Sequence, residues 1–326
     1  MKKILIFLFF ISAALSIFAQ GTSDKLNKAM EKFLADPTLK HAITGFYVLN
    51  AGTGKVIYNL NGEAGLAPGS TQKIYTSIAA FDLLGKDYQF ETALGYAGNI
   101  DKNTLNGNII IRGSGDPSFG SSLFPKTIPT QIFSQFFNTL NQSDIKEING
   151  NILVQAYSPA IPGAWIWEDL GNYYGAASSG LNWRENEYNL HFRSGEKIGE
   201  PVSLISINND SAFPMEFDNE VTTAGIGSGD QSYIYLPFNS SKYLIRGTIP
   251  VDENDFIVYG AVKDPAAYFV YDLQKYLHGK INFTQQNSGN SINNNRDTSF
   301  QILYKYFSPS LDSLTYFFLQ KSINLY

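Results

Sequence analysis

Cysteine is absent from this chain of 326 residues, and histidine occurs only three times. Without cysteine the protein can form no disulfide, no thiolate nucleophile and no cysteine-ligated metal site. His41, His191 and His278 stand far apart, and none belongs to a His-Glu-x-x-His pair, so we predict no metal site. The sequence also has no Gly-x-Ser-x-Gly motif, which leaves a Ser-His-Asp triad without support.

Long apolar runs are equally scarce. The one example, residues 4–18, follows Lys2-Lys3 and precedes the small residue Ala19. This order predicts a secretory signal peptide over residues 1–20, with a retained N-terminal anchor as the alternative. Because no other segment approaches the roughly 20 apolar residues of a membrane span, we expect an exported protein with no transmembrane span after signal removal.

Neither basic nor acidic residues predominate in the sequence. The sequence has 24 Lys and Arg against 29 Asp and Glu, for a formal net charge of −5. A nucleic-acid-binding domain is usually basic, with its cations gathered on one face. We therefore predict that nucleic acid is not a partner.

Hydrophobic periodicity predicts a mixed α/β (α+β) fold. Residues 23–35 have the spacing of an amphipathic helix, and residues 44–50 and 55–60 have the pattern of a hairpin. Alternating strand-like runs predominate after Gly85, and a helical pattern returns at residues 265–277. The mature chain is long enough for two domains of about 100–200 residues each.

Ser70 and Lys73 are the residues whose chemistry stands out. Ser70 is the predicted N-cap of a helix that ends at Gly85, and Lys73 occupies the position where a capping box has Glu or Gln. A cation there opposes the helix dipole by about a few tenths of a kcal/mol, so stability alone does not select it. Burial would lower the pKa of the amine and let it accept the Ser70 proton. The alternative, a cap serine followed by a solvated lysine, is favoured when the tetrapeptide is taken alone.

Two further segments are distinctive. Residues 113–118 form a glycine-rich loop that lacks the lysine of a P-loop; we interpret it as a structural turn, with a substrate-side role for Asp116 as the less favoured hypothesis. Residues 162–176 are dense in aromatic side chains, for which we favour packing over ligand binding.

Taken together, the motifs resemble those of one family. They are Pro68-Gly69-Ser70-Thr71-Gln72-Lys73, Gly113-Ser114-Gly115-Asp116-Pro117-Ser118, Tyr174-Gly175-Ala176 and Ser322-Ile323-Asn324-Leu325-Tyr326. The sequence is similar to the class C low-molecular-mass penicillin-binding proteins of the penicillin-binding protein 4 type. These are D-alanyl-D-alanine carboxypeptidases and endopeptidases of peptidase family S13. The set Ser-x-x-Lys, Ser-Asp-Asn and Lys-Thr-Gly is a general signature of serine β-lactamases and penicillin-binding proteins.

The resemblance implies roles for four residues. Ser70 would be the acylated nucleophile, Lys73 its proton acceptor, Ser322 a proton relay to the leaving D-alanine, and Asn324 a holder of the substrate backbone. The substrate would be the stem peptide of peptidoglycan in the periplasm, β-lactams would acylate the same serine, and no cofactor would be needed.

The resemblance also implies a domain division. A serine β-lactamase/DD-peptidase-like transpeptidase domain, residues 21–86 and 260–326, would be split by a large β-rich insert at residues 87–259. No Lys-Thr-Gly follows Ser322. The family carries this third motif on a closing strand, so we expect a truncated chain that is inactive alone. A β-lactamase and a non-catalytic cell-wall-binding protein remain as alternatives.

Overall fold

A computed structural model describes residues 21–207, 213–238, 240–284 and 300–326. The predicted signal peptide, residues 1–20, lies outside these ranges. The chain divides into two compact units, the first ending at Gln72 and the second running from Lys73 to Tyr326. Within the described ranges, no helix combines the length and the apolar character needed to cross a bilayer.

The first unit contains a helix, α1 (residues 21–34), and a hairpin of β1 (Phe46–Leu49) and β2 (Val56–Leu60). The strands pair antiparallel, and the Asn50 side chain accepts hydrogen bonds from the backbone N–H groups of Gly52 and Thr53 in the turn. The predicted helix and hairpin are confirmed. None of the side chains described between residues 21 and 72 is buried.

The described part of the second unit combines five helices with twelve further strands. The helices are α2 (Gln72–Leu84), which begins one residue before the unit boundary, α3 (Pro129–Gln142), the single-turn α4 (Trp167–Leu170), α5 (Pro265–Leu277) and α6 (Leu311–Gln320). The strands are β3 (Glu91–Asp101), β4 (Thr104–Arg112), β5 (Glu147–Asn149), β6 (Ile152–Gln155), β7 (Glu187–Arg193), β8 (Ser203–Ile207), β9 (Phe217–Ala224), β10 (Gln231–Tyr235), β11 (Tyr243–Pro250), β12 (Phe256–Ala261), β13 (Asn282–Phe283) and β14 (Gln301–Phe307).

A six-stranded mixed sheet is the largest of the second unit. Its order is β13-β5-β4-β3-β14, with β6 also paired to β4. Strands β3 and β4 are joined by Lys102 and Asn103, which have φ of 45° and 71°. Two consecutive residues with positive φ make the tight turn that matches the twist of a hairpin.

Two three-stranded sheets, β10-β11-β9 and β12-β7-β8, complete the β structure described for this unit. Strands β7 and β9 were not predicted from the sequence. Strand β7 buries Tyr188, Leu190 and Phe192 on one face, so its alternation was a readable signal. Strand β9 is polar along most of its length and is held by its parallel pairing with β11.

Aromatic side chains fill the core between the large sheet and the helices. Trp183 lies 5.4 Å from the Phe119 ring and 5.1 Å from the Phe269 ring, both in edge-on geometry. Such pairs contribute about 0.5–1.5 kcal/mol each beyond the area they bury. The Trp183 indole N–H donates to Asp272 at 2.8 Å, which satisfies its one polar group inside the core.

The observed elements support a mixed α/β protein. The predicted helix at residues 265–277 is confirmed by α5, whose N-cap Asp264 accepts from the Ala267 N–H at 2.9 Å. Strand β14 pairs with β3, so one sheet combines strands from residues 87–259 and from residues 260–326. The division into a split catalytic domain and an insert stays a prediction.

Candidate active site

Lys73 is a nearly buried cation in the first turn of α2. The residue is 9% exposed, and its Nζ donates a hydrogen bond to the Asn324 Oδ1 at 2.5 Å. The same nitrogen lies 5.4 Å from the centre of the Phe318 ring. One turn further along α2, the Ser77 hydroxyl donates to the Lys73 carbonyl at 2.8 Å. The interpretation of Lys73 as a solvated surface lysine is therefore wrong.

Burial governs the electrostatics of this amine. Removal from water disfavours the charged form and lowers the pKa of Lys73 from its ordinary value. A lowered pKa leaves a larger neutral fraction at a given pH, and only the neutral amine has a lone pair that can accept a proton.

Asn324 lies in the short segment that follows α6. That helix spans Leu311–Gln320, and the Ser310 hydroxyl caps its start by accepting from the Ser313 N–H. Two residues later Ser322 has a φ of 57°, the left-handed conformation that reverses the chain after a helix. The reversal brings Asn324 to Lys73, 251 residues away in sequence.

The Asn324 side chain is held at both ends of its amide. Its oxygen accepts from Lys73, and its Nδ2 donates to the Tyr174 carbonyl at 2.7 Å. The second bond fixes which end of the amide faces the lysine, because only the oxygen can accept. Tyr174 thus orients Asn324 through its backbone, a role that its sequence position did not reveal.

Tyr174 belongs to the aromatic segment 162–176. Burial, followed by the nearby charges of Asp169 and Glu168 among others, raises the pKa of Tyr174 to about 12. The segment does not pack as completely as predicted, since Trp167 is 47% exposed and Tyr173 is 51% exposed.

Ser70 is the middle residue of a 3-10 turn, Gly69–Thr71, that leads directly into α2. The prediction that Ser70 caps the helix from outside is wrong, because the helical conformation already includes it. Gly69 begins the turn with a φ of 53°. The predicted end of α2 is confirmed, since Gly85 has a φ of 82° and its N–H donates to the Phe81 carbonyl.

Asp116 is buried in the loop that its motif predicted. It is 2% exposed, and its Oδ1 accepts from the Ser118 N–H at 2.8 Å and from the Ser118 hydroxyl at 2.7 Å. Asn182 closes the loop by donating to the carbonyls of Gly115 and Asp116. Burial raises the pKa of Asp116 to about 6. These contacts support the structural interpretation of the loop.

The structure thus brings Lys73 and Asn324 together. Ser322 belongs to the same segment as Asn324, two residues earlier in the chain. In the described part of the chain, no group of three or more acidic or histidine side chains could hold a metal ion. Sequence reasoning missed the backbone role of Tyr174. It also missed the contacts of Tyr326 with Ser121 and Glu185.

Comparisons with known proteins find relatives of one kind. The chain is 28% identical over 324 residues to the D-alanyl-D-alanine carboxypeptidase DacB of Haemophilus influenzae, in an alignment that covers 96% of this chain and 64% of the relative. The crystal structure of penicillin binding protein 4 from the same organism superposes with a TM-score of 0.64 at 26% identity, covering 86% of this chain and 60% of that one. The chain therefore spans about three fifths of the length of these relatives.

A second crystal structure of the Haemophilus influenzae protein, complexed with a β-lactam, has a TM-score of 0.62 at 24% identity and covers 88% of this chain and 59% of that one. These likenesses confirm the mixed α/β fold that the resemblance implied. The model of the D-Ala-D-Ala carboxypeptidase 3 (S13) family matches residues 26–326. The chain belongs to the D-Ala-D-Ala carboxypeptidase 3 (S13) family of peptidases.

Proposed function

We propose that this protein is a serine-type D-Ala-D-Ala carboxypeptidase that acts on the stem peptides of peptidoglycan. The observation that carries the proposal is the hydrogen bond from Lys73 Nζ to Asn324 Oδ1 at 2.5 Å. It joins the lysine of Ser-x-x-Lys to the asparagine of Ser-x-Asn, two motifs that are distant in sequence. Family membership and the named carboxypeptidase relative support the same activity.

In the proposed reaction Ser70 attacks the carbonyl carbon of the penultimate D-alanine. Lys73 accepts the hydroxyl proton as the Oγ–C bond forms. The C–N bond then breaks, and the terminal D-alanine leaves as an amine that takes a proton relayed by Ser322. Water attacks the acyl-Ser70 ester in the second half of the reaction, which restores the serine hydroxyl and releases the shortened peptide.

The Asn324 amide would bind the enzyme through its oxygen and the substrate through its nitrogen. Its oxygen accepts from the lysine, and its Nδ2, which donates to the Tyr174 carbonyl in this structure, would donate to a substrate carbonyl instead when substrate binds. The backbone N–H of Ser70, in a turn that leads into a helix N-terminus, would supply one donor to the oxyanion.

β-Lactams are the proposed inhibitors. Their strained amide would acylate Ser70 in the same way as the peptide, and no leaving group would diffuse away. The β-lactam complex of the structural relative supports this expectation. We place the protein in the periplasm, on the basis of the sequence of residues 1–20 and the cell-wall substrate.

Labelled penicillin tests the proposal. The full-length protein is mixed with the label beside two variants, Ser70→Ala and, as a matched control at an exposed serine, Ser122→Ala. Labelling of the wild type and of the control, with none of Ser70→Ala, is the expected result. Equal labelling of all three would remove Ser70 as the nucleophile, and rapid loss of the label would indicate a β-lactamase.

A further inference from the structure

The residues that follow Asn324 have a second anchor. The Tyr326 hydroxyl lies 3.1 Å from the Ser121 Oγ and 3.4 Å from the Glu185 Oε1. Ser121 is fully buried. The Tyr326 hydroxyl thus reaches both Ser121 and Glu185, and we call these three residues the Tyr326 clamp.

Glu185 reaches the clamp from an unusual backbone. Arg184, Glu185 and Asn186 have φ of 54°, 55° and 56°, which makes a left-handed turn of three residues without glycine. Each such residue costs about 1–2 kcal/mol, and a conformation of this kind persists only where its surroundings determine it.

Hydrogen bonds on both sides hold the turn. The Arg184 N–H donates to the Phe119 carbonyl at 3.0 Å, and the Asn186 carbonyl accepts from the Val262 N–H at 2.7 Å. The Arg184 side chain forms an ion pair with Asp272 at 3.2 Å. A strained turn that these hydrogen bonds and this ion pair hold in place indicates that the fold requires Glu185 at this position.

Ser121 is equally fixed. Its N–H donates to the Ser118 carbonyl at 2.9 Å, at the end of the loop that Asp116 organises. Its hydroxyl accepts from the Leu123 N–H at 3.1 Å, and its carbonyl accepts from the Thr127 hydroxyl at 2.6 Å. The clamp thus joins Tyr326 to two rigid parts of the second unit.

We propose that Glu185 and Ser121 are positioning residues that act through Tyr326 to hold the Asn324 amide against Lys73. Asn324 is two residues from the clamped ring, and its side chain is bonded to Lys73 on one side and to Tyr174 on the other. Removing the Tyr326 hydroxyl takes away this anchor two residues from Asn324 and lets the amide move away from the lysine. The consequence for catalysis rests on the proposed function, whereas the consequence for the geometry does not.

The clamp is suited to stay closed. Burial and the charge of Glu185 raise the pKa of Tyr326 above its ordinary value, so the phenol keeps its proton and remains a donor. Burial also raises the pKa of Glu185, while hydrogen bonds from Ser121 and Tyr326 and the charge of Arg184 lower it.

The first test measures the reactivity of Lys73 and does not need activity. The full-length protein is treated briefly with an amine-selective reagent, and labelling of Lys73 is compared by mass spectrometry with that of the exposed Lys305 in the same sample. Loss of one hydrogen bond changes an equilibrium by about three- to tenfold, so Tyr326→Phe should raise the Lys73 to Lys305 ratio by that factor. Tyr316→Phe, which removes the hydroxyl of an exposed tyrosine on α6, should leave the ratio unchanged. An unchanged ratio in Tyr326→Phe overturns the proposal.

The second test measures acylation by labelled penicillin. Tyr326→Phe should lower the acylation rate constant about three- to tenfold. Glu185→Gln, which keeps an acceptor oxygen, should retain most of the rate, and Glu185→Leu should lose as much as Tyr326→Phe. If the residues had a merely structural role, Tyr326→Phe, Glu185→Gln and Glu185→Leu would all have lower melting temperatures, and Glu185→Gln would not retain its acylation rate. That pattern refutes the proposal.

The two tests distinguish a failure of the proposed function from a failure of the Tyr326 clamp. A wild-type protein that takes no penicillin but shows the expected rise in Lys73 labelling on Tyr326→Phe contradicts the proposed function and supports the clamp. A wild type that is acylated, with a Tyr326→Phe variant acylated at the same rate, contradicts the clamp and supports the proposed function.

Discussion

Lys73 and Asn324 are joined by a 2.5 Å hydrogen bond that spans 251 residues of sequence. The bond depends on three features of the structure: the burial of Lys73 in the first turn of α2, the left-handed conformation of Ser322 after α6, and the Tyr174 carbonyl that orients the amide. Each of these features depends on contacts that a single substitution can change.

Asn324→Ala should slow acylation by labelled penicillin about 10- to 100-fold. The change removes the acceptor of Lys73, and hydrogen bonds to charged groups contribute about 1.5–3 kcal/mol. Stopped-flow acylation kinetics measure the effect. Asn99→Ala, at an exposed position of β3, is the control and should react as the wild type does. A rate for Asn324→Ala within about twofold of the control would argue against a role for the amide.

Lys73→Met should abolish acylation while the fold remains. Methionine keeps the apolar stem against Phe318, whereas the proton acceptor is lost, and general-base catalysis contributes about 10²–10⁴-fold. Circular dichroism and thermal melting report the fold, and penicillin labelling reports the chemistry. A folded variant that is still acylated at the wild-type rate would refute the assigned role.

The pH profile of acylation should have an ascending limb whose midpoint lies below 10.5, the ordinary pKa of lysine, because burial lowers the pKa of Lys73. The rate rises with pH as the amine loses its proton. Acylation rate constants between about pH 5 and pH 10 measure the limb. If the ascending limb persisted in Lys73→Met, it would report the titration of another group.

Ser322 separates backbone strain from hydroxyl chemistry. Its φ of 57° favours glycine, so Ser322→Gly should be more stable than Ser322→Ala by about 1 kcal/mol, as measured by chemical denaturation. Both variants lack the hydroxyl and should lose the relay step equally. A large difference in activity between two equally folded variants would show that Ser322 acts through its backbone.

Asp116 should make the protein less stable as the pH rises through about 6. Its pKa is raised from 3.8 to about 6 by burial, so the folded state binds more protons than the unfolded state between these values. The stabilisation is complete below the unfolded pKa and is lost as the pH passes the folded one; it is on the order of 3 kcal/mol. Asp116→Asn should therefore gain in melting temperature relative to the wild type between about pH 4 and pH 7. A difference in melting temperature between Asp116→Asn and the wild type that did not change with pH would contradict the raised pKa of Asp116.

Local patterns predicted many elements correctly. Helix α5 was predicted over residues 265–277 because the apolar residues there recur at helical spacing. The hairpin of β1 and β2 and the end of α2 at Gly85 were also predicted from local patterns. Strand β9 was missed because its polar residues are held by a parallel neighbour and not by a pattern of their own.

The candidate site divides along the same line. Its residue types, the serine and lysine three apart and the later Ser-x-Asn, are local motifs and could be recognised before any fold was known. The approach of Asn324 to Lys73 and the bond to the Tyr174 carbonyl were not visible in the chain order. The same is true of the Tyr326 clamp, whose members are more than a hundred residues from the tyrosine.

Short-range order in the chain was enough to predict the longer helices, the first hairpin, the absence of thiol chemistry and the candidate nucleophile and base. Tertiary structure alone decided how deeply the lysine is buried and which groups orient its partner. The reason is physical: propensities and caps act between residues a few positions apart, whereas burial and hydrogen-bond geometry depend on segments that meet only after the chain has folded.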